Sequence, residues 1–198
     1  MCDSSVGGKT GVDTKLGKNL IGSIYNPELI VTNTAYLDSL DKRNFKNGLV
    51  EIIKMGVIAD LDLFEALERT NIDKLIQNSE LLYRIMRKSV ENKAIIIQAD
   101  LKEAKLRKIL NFGHTIGHAI EAHENGRLLH GEAVAIGIRK ELELAHYVGL
   151  TSKVYIDRVI KLLESNYELD TEFSAHLDLN SITGFLVKDK KNHGAQIH

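Results

Sequence analysis

The chain has 198 residues, a formal charge of −1 with the two signs evenly mixed, and one cysteine. That balance excludes the basic signature of a nucleic-acid or membrane-surface binder, and a lone thiol excludes an internal disulfide or a Cys-based zinc site. The length suits one domain or one and a half, no apolar run approaches the roughly 18 residues a bilayer needs, and the start carries no signal peptide, so a reducing, cytoplasmic setting is expected.

Near the N-terminus, "DSSVGGKTGVDTKLGKN" ends like a phosphate-binding P-loop at Gly8, Lys9 and Thr10. The first glycine of that pattern would fall at position 3, where an aspartate stands among groups that should cradle phosphate. No apolar helical period follows Thr10 either, so the P-loop reading is rejected. A glycine-punctuated loop remains, carrying Lys9, Lys18 and Asn19. Residues 20–34 hold two β-rich runs around Asn26-Pro27, read as strand, turn, strand.

From about Asp41 the period turns helical. "NGLVEIIKMGVIAD" places Leu49, Ile52, Ile53 and Gly56 on one side, and a second helix is expected at about 60–69. The longest helix follows, "SELLYRIMRKSVENKAIIIQADL", with Ser79 as its N-cap and apolar residues at 82, 85, 86, 90, 94 and 97. After a break near 100–110 come "NFGHTIGHAIEAH", a loop at Asn125-Gly126, and a helix from His130 closed by Gly149. Further helices are expected over 152–165 and 180–188. A single proline in the whole chain, with abundant Leu, Ile, Lys and Glu, points to a mainly α fold with a short N-terminal β segment. The division expected is 1–36, loop and β segment, and 37–198, helical domain.

His114 and His118 are four apart and share a helical face, but Thr115 stands where a zincin would place its Glu base. His130 opens the next helix, at a return that brings two helix starts together. Glu51 lies among apolar neighbours, where an unpaired carboxylate would be costly. Two histidines and a carboxylate suit a divalent metal with an open position, and spacing leaves open whether His118 or His130 completes the set. Lys54 and Lys93 each adjoin apolar stretches, Arg107 offers a planar fork, and Asn111 follows one turn later. Together they describe a pocket for a small polyanion beside a metal.

The segments "DSSVGGKTGVDTKLGKNLIG", "VEIIK", "LNFGHTIGHAIEA", "LLHGEAVAIG" and "KDKKNHG" resemble, in order and spacing, those of the 3-dehydroquinate synthases, including the corresponding part of the fungal multifunctional shikimate-pathway polypeptide. The resemblance implies a lyase of aromatic amino acid and chorismate biosynthesis. It would convert 3-deoxy-D-arabino-heptulosonate 7-phosphate to 3-dehydroquinate and phosphate with NAD and Zn²⁺ or Co²⁺. It implies metal ligation by Glu51, His114 and His130, with His118 beside the phosphate as a proton carrier. Asp3, Lys9, Lys18 and Asn19 would face cofactor and reacting hydroxyls, with Lys9, Lys54 and Asn19 taking part in catalysis alongside His118. Lys9, Lys54, Lys93, Arg107, Asn111, His118 and one of Lys190 or Lys191 would hold substrate.

Departures are Val50 where the family usually has Ala, and Leu101 where it has Glu. The nucleotide-binding α/β domain of the family is expected to be absent, and the chain alone is expected to be inactive; a homodimer is expected of the full-length protein. The alternatives are another sugar-phosphate cyclase, such as an inosose or valiolone synthase, and a non-catalytic fragment. Arg107, Asn111 and Lys191 keep the dehydroquinate-type pattern and argue against the first.

Overall fold

The computed structural model describes residues 3–14 and 17–172, without the side chains of residues 13 and 17–20. The expected helix at 180–188 and Lys190 and Lys191 lie outside the described residues, as do the side chains of Lys18 and Asn19. What is described is mainly helical, as the composition predicts. The helices are α1 (Lys42–Ala59), α2 (Leu61–Glu68), α3 (Ile72–Gln77), α4 (Ser79–Ala99), α5 (His114–Glu124), α6 (His130–Tyr147) and α7 (Lys153–Lys161). None is long and apolar enough to cross a membrane.

α1 is the axis of the assembly. Asp41 caps it, its carboxylate accepting from the Asn44 N–H, and every residue from Leu49 to Gly56 is buried. A helix buried all round must be covered on several sides, and α2, α4 and α6 all pack on it. The core runs from Phe45 and Leu49 through Ile53, Met55, Phe64 and Leu67 to Ile138, Ile156 and Tyr167. α4 buries Leu82, Ile85, Met86, Ser89, Ile96 and Ile97, a stripe one or two residues displaced from the expected one in its second half. Its cap is Asn78, which accepts from the Leu81 N–H, and Ser79 is the first helical residue instead of the cap. The six-residue α3 gives no period in sequence and was not anticipated.

At the N-terminus, β1 (Val12–Thr14) pairs antiparallel with β2 (Gly17–Ile21). Backbone bonds from Thr10 to Ser23 and from Tyr25 to Gly8 continue this hairpin. A strand, not a helix, follows Gly8-Lys9-Thr10, in keeping with rejection of the P-loop. The second strand expected after Pro27 does not form. Residues 28–33 are exposed, and no neighbouring strand among the described residues offers them a ladder. A 3₁₀ turn at Thr34–Leu37 leads into α1, and another at Leu106–Asn111 leads from α4 to α5.

α5 and α6 lie unusually close. A Cβ on Gly137 would sit 2.0 Å from the Gly113 carbonyl oxygen, so a bare α-carbon is required there. Gly113 itself takes φ 76°, the left-handed conformation that starts α5 immediately before His114.

Candidate functional site

Glu51, in the middle of α1, is 4 % exposed. Its Oε2 accepts from the Lys54 ammonium at 2.6 Å. Its Oε1 is buried and has no hydrogen bond. Nε2 of His114 lies 3.3 Å from that oxygen and Nε2 of His130 3.6 Å from it. Each ring is held from behind. His114 Nδ1 donates to the Phe112 carbonyl at 3.1 Å, and His130 Nδ1 meets the Glu121 carboxylate at 3.1 Å. With Nδ1 committed, both rings present Nε2 to the same buried oxygen.

His118 joins them one turn along α5. The ligating nitrogens of His114, His118 and His130 can all lie within 4.8 Å of one another, and the His118 ring stands 5.3 Å from that of His114 and 5.7 Å from that of His130. Two trios thus overlap, three histidines or two histidines with Glu51, and both share His114 and His130.

Burial alone would push the Glu51 carboxyl up. Contacts with His114 and His130 and the charge of Lys54 outweigh that and hold it well below the usual carboxylate range. His130 moves the other way, pushed up to about 9 first by Glu121 and then by Glu51. An orphaned buried carboxylate oxygen facing two oriented imidazoles is what a bound cation would satisfy, and a nitrogen-rich set with one carboxylate suits Zn²⁺ or Co²⁺.

The rest of the pocket surrounds this floor. A cavity of about 750 Å³ is lined by Asp3, Lys9, Glu51, Lys54, Lys93, Glu103, Arg107, Asn111 and the three histidines, among others. The structure therefore brings together every sequence-predicted site residue whose side chain it describes. Lys54 also donates to the Leu110 carbonyl at 2.8 Å. Lys93 reaches from α4 to the Asp3 carboxylate at 3.0 Å and its carbonyl at 2.8 Å. Arg107 is 6 % exposed, and its fork donates to the carbonyls of Gly7 at 3.1 Å and Leu101 at 3.2 Å. Arg107 thereby ties the glycine loop to the helical domain.

Sequence reasoning missed Glu103, which pairs with Lys9 and accepts from Asn111 at 3.2 Å. It stands in a left-handed conformation, φ 55°, in a turn that Asp100 holds by accepting from the N–H groups of Ala104, Lys105 and Arg107. Asp100, ahead of Arg107, was the available signal, because such a residue organises a turn. Glu121 behind His130 was missed as well, since the second carboxylate of such a pair shows only in three dimensions.

Known proteins resemble this chain in sequence and in fold. The family description 3-dehydroquinate synthase C-terminal matches residues 48–192, and 3-dehydroquinate synthase N-terminal matches residues 1–47. The chain is 43 % identical to the 3-dehydroquinate synthase of Synechocystis over 96 % of its length and 54 % of that protein. It is 44 % identical to the enzyme of Thermoanaerobacter pseudethanolicus over 99 % of its length and 55 % of that protein. Among solved structures, 2-epi-5-epi-valiolone synthase from Streptomyces hygroscopicus, with NAD⁺ and Zn²⁺ bound, aligns with a TM-score of 0.83 at 29 % identity, over 94 % of this chain and 52 % of that one. A 2-deoxy-scyllo-inosose synthase complexed with carbaglucose-6-phosphate, NAD⁺ and Co²⁺ aligns equally well, TM-score 0.83 at 28 % identity, over 96 % and 52 %. The chain spans about half the length of the curated relatives it matches. With both family descriptions covering it almost end to end, the chain belongs to the 3-dehydroquinate synthase family.

Proposed function

We propose that this chain supplies the metal-binding and anion-binding half of a 3-dehydroquinate synthase, acting on 3-deoxy-D-arabino-heptulosonate 7-phosphate to give 3-dehydroquinate and phosphate. The observation that carries this reading is the Glu51 oxygen without a donor, turned to Nε2 of both His114 and His130. Those three residues would hold Zn²⁺ or Co²⁺, in preference to the all-histidine trio, because only that set relieves the buried oxygen. A divalent ion at this point supplies electrophilic stabilisation of substrate oxygens, and NAD supplies reversible oxidation.

The chain's own groups do the rest. Lys54, Lys93 and Arg107, with Asn111, would orient the carboxylate and phosphate of the substrate, since two anionic ends need cations placed at a fixed separation. Four basic side chains, Lys9, Lys54, Lys93 and Arg107, face three carboxylates, Asp3, Glu51 and Glu103. Each of these cations now has an internal partner, so a substrate anion would exchange with the carboxylate or carbonyl contact that the cation now makes. His118 would carry a proton beside the phosphate, and Lys9 with Asp3 and Glu103 would bind reacting hydroxyls. Lys18 and Asn19 would contact cofactor, and Lys190 or Lys191 substrate. The closely similar dehydroquinate synthases favour this over a valiolone or inosose synthase, whose likeness is lower in sequence.

No parallel β–α–β unit occurs among the described residues. NAD would then need a nucleotide-binding half supplied elsewhere, in an assembly expected to be a homodimer. The test is phosphate release from the heptulosonate phosphate with NAD and Zn²⁺. The isolated 198-residue chain should release none, and a fusion to the nucleotide-binding half of the Synechocystis relative should release it. A silent fusion that is folded and metal-loaded defeats the assignment, and turnover by the isolated chain defeats the division of labour.

A further inference from the structure

Three polar contacts in a row join α1 to the start of α6. On α1, Arg43, Asn47 and Glu51 are spaced four apart and share one face. On α6 their partners are consecutive and run in the opposite order: Glu132, Gly131 and His130. Arg43 grips Glu132 with two bonds, Nε to Oε1 at 2.7 Å and Nη2 to Oε2 at 2.8 Å, and Nη2 also donates to the Arg127 carbonyl at 2.9 Å. Glu132 in turn accepts from the Leu129 N–H at 2.8 Å, which fixes the N-cap of α6 one residue before His130. The Gly131 N–H donates to Asn47 Oδ1 at 2.5 Å. A Cβ on Gly131 would lie 2.1 Å from the Asn47 carbonyl oxygen, so the two backbones touch at the middle rung. The third rung is Glu51 Oε1 to His130 Nε2 at 3.6 Å.

We infer that Asn47 and Arg43 are positioning residues for the metal: they set the separation of Glu51 from His130 by locking the α6 N-terminus onto α1. The inference rests on the reading of Glu51, His114 and His130 as the ligand set. Its physical basis is that Glu51 and His130 lie on different helices, joined by some eighty residues of chain, and nothing in α1 alone sets their distance. Hydrogen-bonded groups behind a ligand determine how well a preformed site fits its ion, and their loss typically weakens metal binding about 10–100-fold. The middle rung acts through backbone and the outer rung through a bidentate ion pair that holds direction as well as distance.

The experiment titrates the 198-residue chain with Co²⁺, followed by visible absorption and by competition with a chelator, alongside far-ultraviolet circular dichroism. Asn47→Ala should keep its helical signal yet bind Co²⁺ about tenfold or more weakly, with an altered absorption envelope. Asn47→Asp keeps an acceptor for the Gly131 N–H and should stay within about threefold of the parent. Arg43→Ala, at the exposed end of the ladder, should show the same loss in milder form and carries the test if Asn47→Ala does not fold. Parent-like affinity and spectrum in a folded Asn47→Ala, or in a folded Arg43→Ala where Asn47→Ala fails to fold, would overturn the inference. Glu51→Gln separates the two levels. If it too binds like the parent, the ligand assignment falls and the inference with it, whereas weak binding by Glu51→Gln beside tight binding by Asn47→Ala removes the inference alone.

Discussion

On its helical side the pocket is built from buried and half-buried side chains on rigid elements: Glu51 on α1, His114 and His118 on α5, His130 on α6, helices that touch through Gly113–Gly137 and Asn47–Gly131. On the opposite side it is built from an exposed hairpin and its preceding loop, where Lys9 and Thr10 are open to solvent and the ties are backbone carbonyls and ion pairs. Metal ligation tolerates errors of a few tenths of an ångström, which helices packed through glycine can deliver. Taking up and releasing a small molecule asks instead for groups that can change partners, and an exposed loop is suited to that.

Three substitutions probe how far the two sides differ, the most damaging first. Gly137→Ala drives a methyl group against the Gly113 carbonyl. Both partners are helix backbone or its immediate start, so the clash cannot be relieved by a rotamer. It should cost about 3 kcal/mol or more and lower the thermal midpoint on the order of 10 °C by calorimetry. A midpoint within a degree or two of the parent would mean that the helical side is softer than its packing indicates.

Lys54→Met comes next. It leaves one oxygen of the Glu51 carboxylate buried without the ammonium that neutralises it, and removal of one member of a buried pair should cost about 3 kcal/mol in metal-free urea unfolding. Added Zn²⁺ should recover part of that loss, since the ion would supply the missing positive charge. No recovery would argue against a cation at this carboxylate.

The mildest change is Lys9→Ala on the hairpin side. The Lys9 side chain is 55 % exposed, and its pair with Glu103 is solvent-screened, so stability should change by less than about 1 kcal/mol. Substrate affinity in the fused, active form should fall at the same time. That pairing of a stable fold with weakened substrate binding is the signature expected of the loop side.

The helical half was the more legible in sequence, for reasons that individual residues make plain. A carboxylate inside "LVEIIKMG" is conspicuous because burial is costly, and histidines at helix starts on either side of an Asn-Gly turn have few ways not to meet. Asp41 and Gly149 marked their helix ends correctly. At 78–79 two capping residues stand side by side, and only the geometry of the Leu81 N–H chooses Asn78 over Ser79. The hairpin side was harder: the pairing of β1 with β2 depends on partners a few residues apart with no alternating pattern, and the strand expected after Pro27 has no edge to join among the described residues. Arg107 reads in sequence as a fork for an anion, yet in the structure it grips two carbonyls of its own chain, a use that no spacing rule distinguishes from the first.

The bare α-carbon at Gly137 has a practical corollary for anyone redesigning the histidine cluster of this scaffold. Libraries that vary α5 and α6 would be dominated by misassembled members, because the seam between them has no slack to absorb a new ligand's bulk. Diversity is better confined to the Glu51 position itself, because its neighbours on α1 are buried and Gly131 of α6 already touches the Asn47 backbone.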